Sequence, residues 1–311
     1  MSPESYSSDL VSVVIPCYNH GKYLAQAIES VLKQSYQSYE IIVVDDGSTD
    51  NSKKVAQSYP AVRYLYQQNQ GPSMARNTGI DKSIGRFLVF LDADDWLFPD
   101  ALKINIKYLL ENEEAAFVSG SHQKVNNDGV ILEEGKWVVR EDPYLHLLQG
   151  NYIGMHATVM YRRSVLEKIK FDVSLRLCED YDVYLKITRK YPVIHHEVTI
   201  AAYRIHDSNT SVNIPRMLEA ALKVLERQRD KLLNERELVN YKNGLEIWEN
   251  YYCGLLYNEL LFKPFSFLSA KKEELATLKK FHLRLYLKLL RLNTLMAIKN
   301  KLGLGPKGLF V

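Results

Sequence analysis

Phe87-Leu88-Val89-Phe90-Leu91-Asp92-Ala93-Asp94-Asp95 decides the fold. Five consecutive apolar residues are too few for a helix and read as a strand buried on both faces, as in a parallel sheet. The run then breaks into an acidic turn. Ile41 to Val44 repeats the pattern and ends in Asp45-Asp46-Gly47-Ser48-Thr49-Asp50. Leu10 to Ile15 is a β-rich run stopped by Pro16, and Val62 to Tyr66 reads as a further strand. Between them, Tyr23, Leu24, Ala27, Ile28, Val31 and Leu32 recur at helical spacing over 21–34, and Pro72 opens a helix to Ile84. Strands alternating with helices predict an α/β fold, a Rossmann-like, mostly parallel sheet with flanking helices and right-handed crossovers. Ligands bind beyond the carboxyl ends of such strands, where both acidic clusters fall.

Toward the C-terminus a helix over 99–110 leads to the apolar run Ala115 to Val118, and Asn126-Asn127-Asp128-Gly129 makes a hairpin turn. Ala157 to Tyr161 is strand-like. A short helix then precedes Cys178-Glu179-Asp180-Tyr181-Asp182. The strand Val198 to Tyr203 runs into Arg204-Ile205-His206. From about Pro215 the pattern is almost wholly helical. The expected organisation is a catalytic domain over 1–212, with halves at 10–110 and 111–212, and a helical extension over 213–311.

Composition narrows the class. With 46% hydrophobic and 25% charged residues, the 311-residue chain is that of an ordinary globular protein. A formal charge of +3 is too small to imply nucleic acid as a partner. Three scattered cysteines make neither a disulfide framework nor a zinc site. The opening MSPESYSSDL has no basic start and no apolar core, and no window holds about 18 uninterrupted apolar residues. A cytoplasmic protein that does not cross a membrane is expected.

The acidic turns carry the chemistry. Beyond a strand end, one carboxylate of Asp92-Ala93-Asp94 can meet a hard divalent cation, Mn²⁺ or Mg²⁺, while the other meets hydroxyls or waters. The same acids can instead cap the helix that follows. Asp46 can accept a base N–H or ribose hydroxyl, with Ser48 or Asp50 capping the next helix. Tyr18, just past the first strand, can stack on a base or simply pack. Glu179 and Asp180 suit a base, and equally suit a helix N-terminus, where the dipole favours acids. His206 stands between ligand and packed residue, and Arg204 between phosphate clamp and packed residue.

Val11 to Asn19, Ile41 to Asp50, Gly71 to Gly79 and Phe90 to Asp95, in this order and spacing, resemble the family 2 glycosyltransferases of the GT-A fold, over roughly 10–206. Glu179-Asp180 and Arg204-Ile205-His206 resemble the family's acceptor-half motifs. The resemblance implies an inverting transferase that uses a nucleotide-sugar, a UDP-sugar by preference, and a divalent cation. It implies Asp46 at the uracil with Pro16, Tyr18 and Asn19 beside it, and Arg76 and Asn77 flanking the donor pocket. It places Asp92 near the ribose and the metal-bound waters and Asp94 as the direct metal ligand, with His206 as a further metal or diphosphate ligand. Asp180 resembles the general base, with Glu179 next to it. The Gln-x-x-Arg-Trp motif of processive synthases does not follow Asp180, so one sugar or very few are expected per encounter. A glycan or lipid-linked oligosaccharide is the expected acceptor.

A nucleotidyltransferase shares such a layout, but its Gly-rich basic loop is replaced here by Pro16-Cys17-Tyr18-Asn19-His20. An inactive binding module fits poorly with so complete a carboxylate set. After Glu274 no acidic residue occurs, and Arg284, Lys288 and Arg291 share one helical face. Phe281, Leu285, Leu289, Leu292 and Met296 form an apolar stripe on the other. Residues 275–301 are thus expected on an anionic membrane surface, peripheral to its inner face, or packed on the catalytic domain or a second copy of a homo-oligomer.

Overall fold

The computed structural model describes residues 7–207 and 209–302. The chain divides into two compact units between Asn209 and Thr210.

In the first unit β1 (Ser7–Cys17), α1 (Gly21–Leu32), β2 (Tyr39–Asp45), α2 (Ser52–Gln57), β3 (Val62–Tyr66), α3 (Pro72–Lys82) and β4 (Gly85–Phe90) form the βα alternation. There follow β5 (Trp96–Leu97), α4 (Ala101–Glu111), the hairpin β6 (Phe117–Val125) and β7 (Ile131–Gly135), and α5 (Pro143–Gln149). β8 (Val159–Arg162), α6 (Arg163–Leu166), α7 (Glu179–Thr188) and β9 (Ile194–Arg204) complete it. Among the described residues one nine-stranded sheet runs β3-β2-β1-β4-β8-β6-β9-β5, with β7 on β6. β3, β2, β1 and β4 are parallel; β8 runs against both β4 and β6. Val13, pairing with Ile41 and Val89, is fully buried, as the continuous apolar runs require. Leu24, Ala27, Ile28 and Val31 of α1 pack beneath this sheet in one core cluster.

Pro16 does not stop β1. The strand continues to Cys17, with Pro16 opposite Val44. The β4 ladder ends at the Val14–Phe90 pair, so Pro16 sits where β1 has a neighbour on one side only, a place that tolerates a missing N–H.

The second unit is helical: α8 (Ile214–Glu226), α9 (Glu235–Leu260), α10 (Phe265–Ala270), α11 (Lys272–Phe281) and α12 (Leu283–Lys301). Asn213 and Asn234 cap α8 and α9 by accepting the N–H groups of Arg216 and Glu237. The apolar stripe expected to meet a membrane faces inward instead: Leu289 is fully buried, and Phe281, Leu285, Leu292 and Met296 are half-buried. Among the described residues no helix is long and apolar enough to cross a membrane.

Candidate active site

The parallel strands end side by side, so their terminal turns share one edge. Asn19, in the left-handed region at φ 55°, clasps the first two turns together. Its N–H donates to Ser48 Oγ at 2.9 Å, and its Oδ1 accepts from the Thr49 N–H at 2.8 Å. Tyr18 beside it is 49% exposed, at the free edge. Asp46 is buried and already surrounded by donors: Gln67 Nε2 at 2.7 Å and the N–H groups of Gln70 and Gly71 at 2.9 and 2.7 Å. It anchors the loop leading into α3. Glycine suits position 71, since its φ of +91° is a conformation that L side chains rarely adopt.

α3 then carries Arg76 inward. Its guanidinium donates to Asp92 Oδ1 at 2.7 Å and to Glu179 Oε1 at 2.5 Å. Burial opposes the charge, yet Asp92, Glu179 and Asp180 hold the Arg76 pKa above its ordinary value. Asn77 goes elsewhere. Its amide donates to the Phe171 carbonyl and accepts the Phe171 N–H, so it pins the 171 loop to α3.

Beyond β4, Asp94 Oδ2 lies 3.0 Å from His206 Nε2 and 4.0 Å from His20 Nδ1. Asp95 is buried and accepts the Arg204 N–H at 2.9 Å. Burial, then the charges of Asp94 and Asp92, push its carboxyl well above the usual range. Arg204, expected at phosphate, is engaged within the protein. Its guanidinium lies against the rings of Tyr23 and Trp96 at 4.9 and 4.8 Å, donates to the Asp94 carbonyl at 2.9 Å, and reaches Gln26 Oε1. The Tyr23 ring stacks in turn on His206, 4.8 Å between centroids.

Cys178, at φ 56°, turns the chain into α7 and sets Glu179 and Asp180 in its first turn. Burial, reinforced by the Glu179 charge, raises the Asp180 carboxyl to about 7 against the opposing pull of the Tyr181 N–H and Arg76. Dipole stabilisation of the ionised acid at a helix N-terminus is outweighed.

Arg76, Asp92, Glu179 and Asp180 thus form one group, and Asp94 with His206 another. Asp92, expected near the metal, is engaged by Arg76. Among the described residues no three His, Cys, Asp or Glu side chains surround one point suited to a metal. One carboxylate and one imidazole do fit a divalent cation whose other positions come from diphosphate oxygens and water. His20 and Tyr23 join the site without a motif to announce them. Their only signal in the sequence is position, since both lie within a few residues of the first strand's end.

Residues 12–170 match the family model for glycosyl transferase family 2. An uncharacterized glycosyltransferase of Rickettsia prowazekii is 34% identical over 256 residues, 76% of each chain. The chain spans only about a third of the length of three other Rickettsia relatives that it matches, at 36%, 30% and 37%. In structure it resembles Staphylococcus aureus TarS in complex with UDP-GlcNAc, at TM-score 0.62, 19% identity and 87% and 80% coverage of the two chains. It also resembles the mannosyltransferase PcManGT of Pyrobaculum calidifontis in complex with GDP-Man and Mn²⁺, at TM-score 0.60, 16% identity and 96% and 84% coverage. The sheet order, the strand-end acids and the family match converge: the chain belongs to glycosyl transferase family 2 and has the GT-A type of fold.

Proposed function

We propose that this chain is an inverting, non-processive transferase that moves a hexosyl or N-acetylhexosaminyl group from a UDP-sugar to a hydroxyl of a growing glycan or lipid-linked oligosaccharide. The observation that carries the reading is Arg76, whose one guanidinium joins the strand-end Asp92 to Glu179, beside Asp180. A base and the donor-side acids are thereby held in one place. Asp180, with a pKa of about 7, is matched to take a proton from an acceptor hydroxyl near neutrality. That oxygen attacks the anomeric carbon from the face opposite the leaving group, the bond from carbon to diphosphate oxygen breaks, and UDP departs. Arg76 holds Glu179 and Asp92 in fixed orientation and offsets their charge beside Asp180. Asp94 and His206 are the residues to hold a Mn²⁺ or Mg²⁺ ion, which when bound offsets charge on the leaving diphosphate. Pro16, Tyr18 and the loop anchored by Asp46 bound the nucleotide end. The solved neighbours described with UDP-GlcNAc and with GDP-Man support a nucleotide-sugar donor.

Incubation with UDP-, GDP- and dTDP-sugars plus Mn²⁺ tests the reading through the released product. A nucleoside diphosphate from the parent, and far less from Asp180→Asn, is expected. Release of pyrophosphate, or of nothing from any donor, would overturn it.

A further inference from the structure

α12 carries two apolar rows, and the structure determines which is packed. Asn293 fixes the helix about its axis: its amide donates to the Leu260 carbonyl at 3.1 Å and accepts the Phe262 N–H at 2.7 Å. Leu289, one turn before it, is fully buried. The opposite side must therefore face out. It presents Leu283, Leu287, Leu295 and Ile298, 54%, 56%, 45% and 49% exposed, with Leu302 just past the helix end. The exposed cations Arg284, Lys288, Arg291, Lys299 and Lys301 share that side. At about 100° per residue, these positions all fall within one half of the circumference. α12 contains no acidic residue, and neither does the rest of the chain after Glu274. Lys288 rests its ammonium 5.3 Å from the Tyr257 ring, which leaves its charge at the border of the apolar row.

We propose that this face of α12 is a docking surface for an anionic lipid bilayer, with the helix lying in the interfacial plane. Large aliphatic side chains that surface between cations need an apolar medium and an anionic rim together, and a charged bilayer supplies both. A second copy of the chain is the weaker occupant, because an isologous contact would set like charges against one another. Nucleic acid would satisfy the cations and leave the leucines in water.

Co-sedimentation of the full chain with phosphatidylcholine vesicles, with and without phosphatidylglycerol, tests the proposal. Binding is expected only to the anionic vesicles and should weaken with salt. The triple variant Arg284→Gln/Lys288→Gln/Arg291→Gln should partition about 100-fold less, at about fivefold per basic group near the surface. Leu287→Ser/Ile298→Ser should also lose binding and melt like the parent, because both side chains are exposed, and the triple variant should melt close to the parent, losing one Lys288–Tyr257 contact. Equal binding to neutral vesicles, binding retained by either variant, or a dimer in sedimentation velocity that Leu287→Ser dissolves would each overturn it.

Discussion

Arg76 and Glu179 stand 103 residues apart in the chain and 2.5 Å apart in space. The same guanidinium reaches Asp92, and its side chain is only 5% exposed. A buried cation joins the carboxylate of the turn beyond β4 to one in the first turn of α7, and so ties these two parts of the site together. Asp92, the more exposed partner, lies where a ligand can reach it.

Loss of that cation should be felt first in stability. Removing one member of a buried ion pair costs about 3–5 kcal/mol, because the partner charge stays buried without compensation. Arg76→Met is expected to lower the melting temperature by about 10 °C, whereas Glu179→Gln, which keeps a hydrogen-bond acceptor, should cost less. Melting of Arg76→Met within a degree or two of the parent would show that the guanidinium is dispensable to the fold.

Asp180 gives a prediction in pH. A base acts when ionised, so kcat/KM should rise with pH through about 7 and level off above it. Asp180→Asn should remove that limb and lower turnover by about 10² to 10⁴. The stability consequence has a definite sign. The folded-state pKa lies above the unfolded value of 3.8, so the folded form binds the proton more tightly, and stability is lost as pH rises from about 4 to about 7. Without nucleotide or cation, Asp180→Asn should therefore melt above the parent at pH 8, by an amount worth roughly 1–3 kcal/mol, and show less advantage at pH 4. A pH–rate limb that survives in Asp180→Asn would move the base elsewhere.

Asp94 and His206 are tested through binding. Calorimetry of UDP with Mn²⁺ should show metal-dependent affinity in the parent, none in Asp94→Asn, and a reduced value in His206→Ala. Binding without the cation should be the same in all three. Parent-like affinity of Asp94→Asn in the presence of Mn²⁺ would remove that carboxylate from the cation's site.

Much of the sheet is legible in sequence because burial on both faces leaves a direct mark: Ile41 to Val44 and Phe87 to Leu91 are uninterrupted apolar runs. The two acidic turns follow from them. The partners that engage the acids are not legible, because they arrive from afar. Nothing near Asp46 announces that Gln67, Gln70 and Gly71 will surround it. Nothing near Asn77 announces that its amide will be satisfied by the backbone of Phe171. In α12 the stripe through Leu285, Leu289 and Leu292 is read from the sequence, and the second row, through Leu287 and Ile298, is not. The one that packs is decided by the Asn293 contacts with Leu260 and Phe262, which a period cannot reveal.

Arg204 offers a test of positioning against contact. Its guanidinium lies against Tyr23 and Trp96 while donating to the Asp94 carbonyl, and its own N–H binds Asp95. Such an arrangement holds the acidic turn still and, through Tyr23, the stacked His206 ring. Lysine keeps the charge but has no plane to lie against two rings and no second arm for Gln26. Arg204→Lys is expected to lower the melting temperature by a few degrees, the worth of about 1–2 kcal/mol. It should weaken Mn²⁺-dependent UDP binding about tenfold, one pairing's worth of about 1.4 kcal/mol. Binding of UDP without the cation should not change, because the side chain acts by aiming Asp94 and His206. An arginine that gripped the diphosphate directly would show its loss equally with and without Mn²⁺, and that result would return Arg204 to the phosphate-binding role suggested by its place in the sequence.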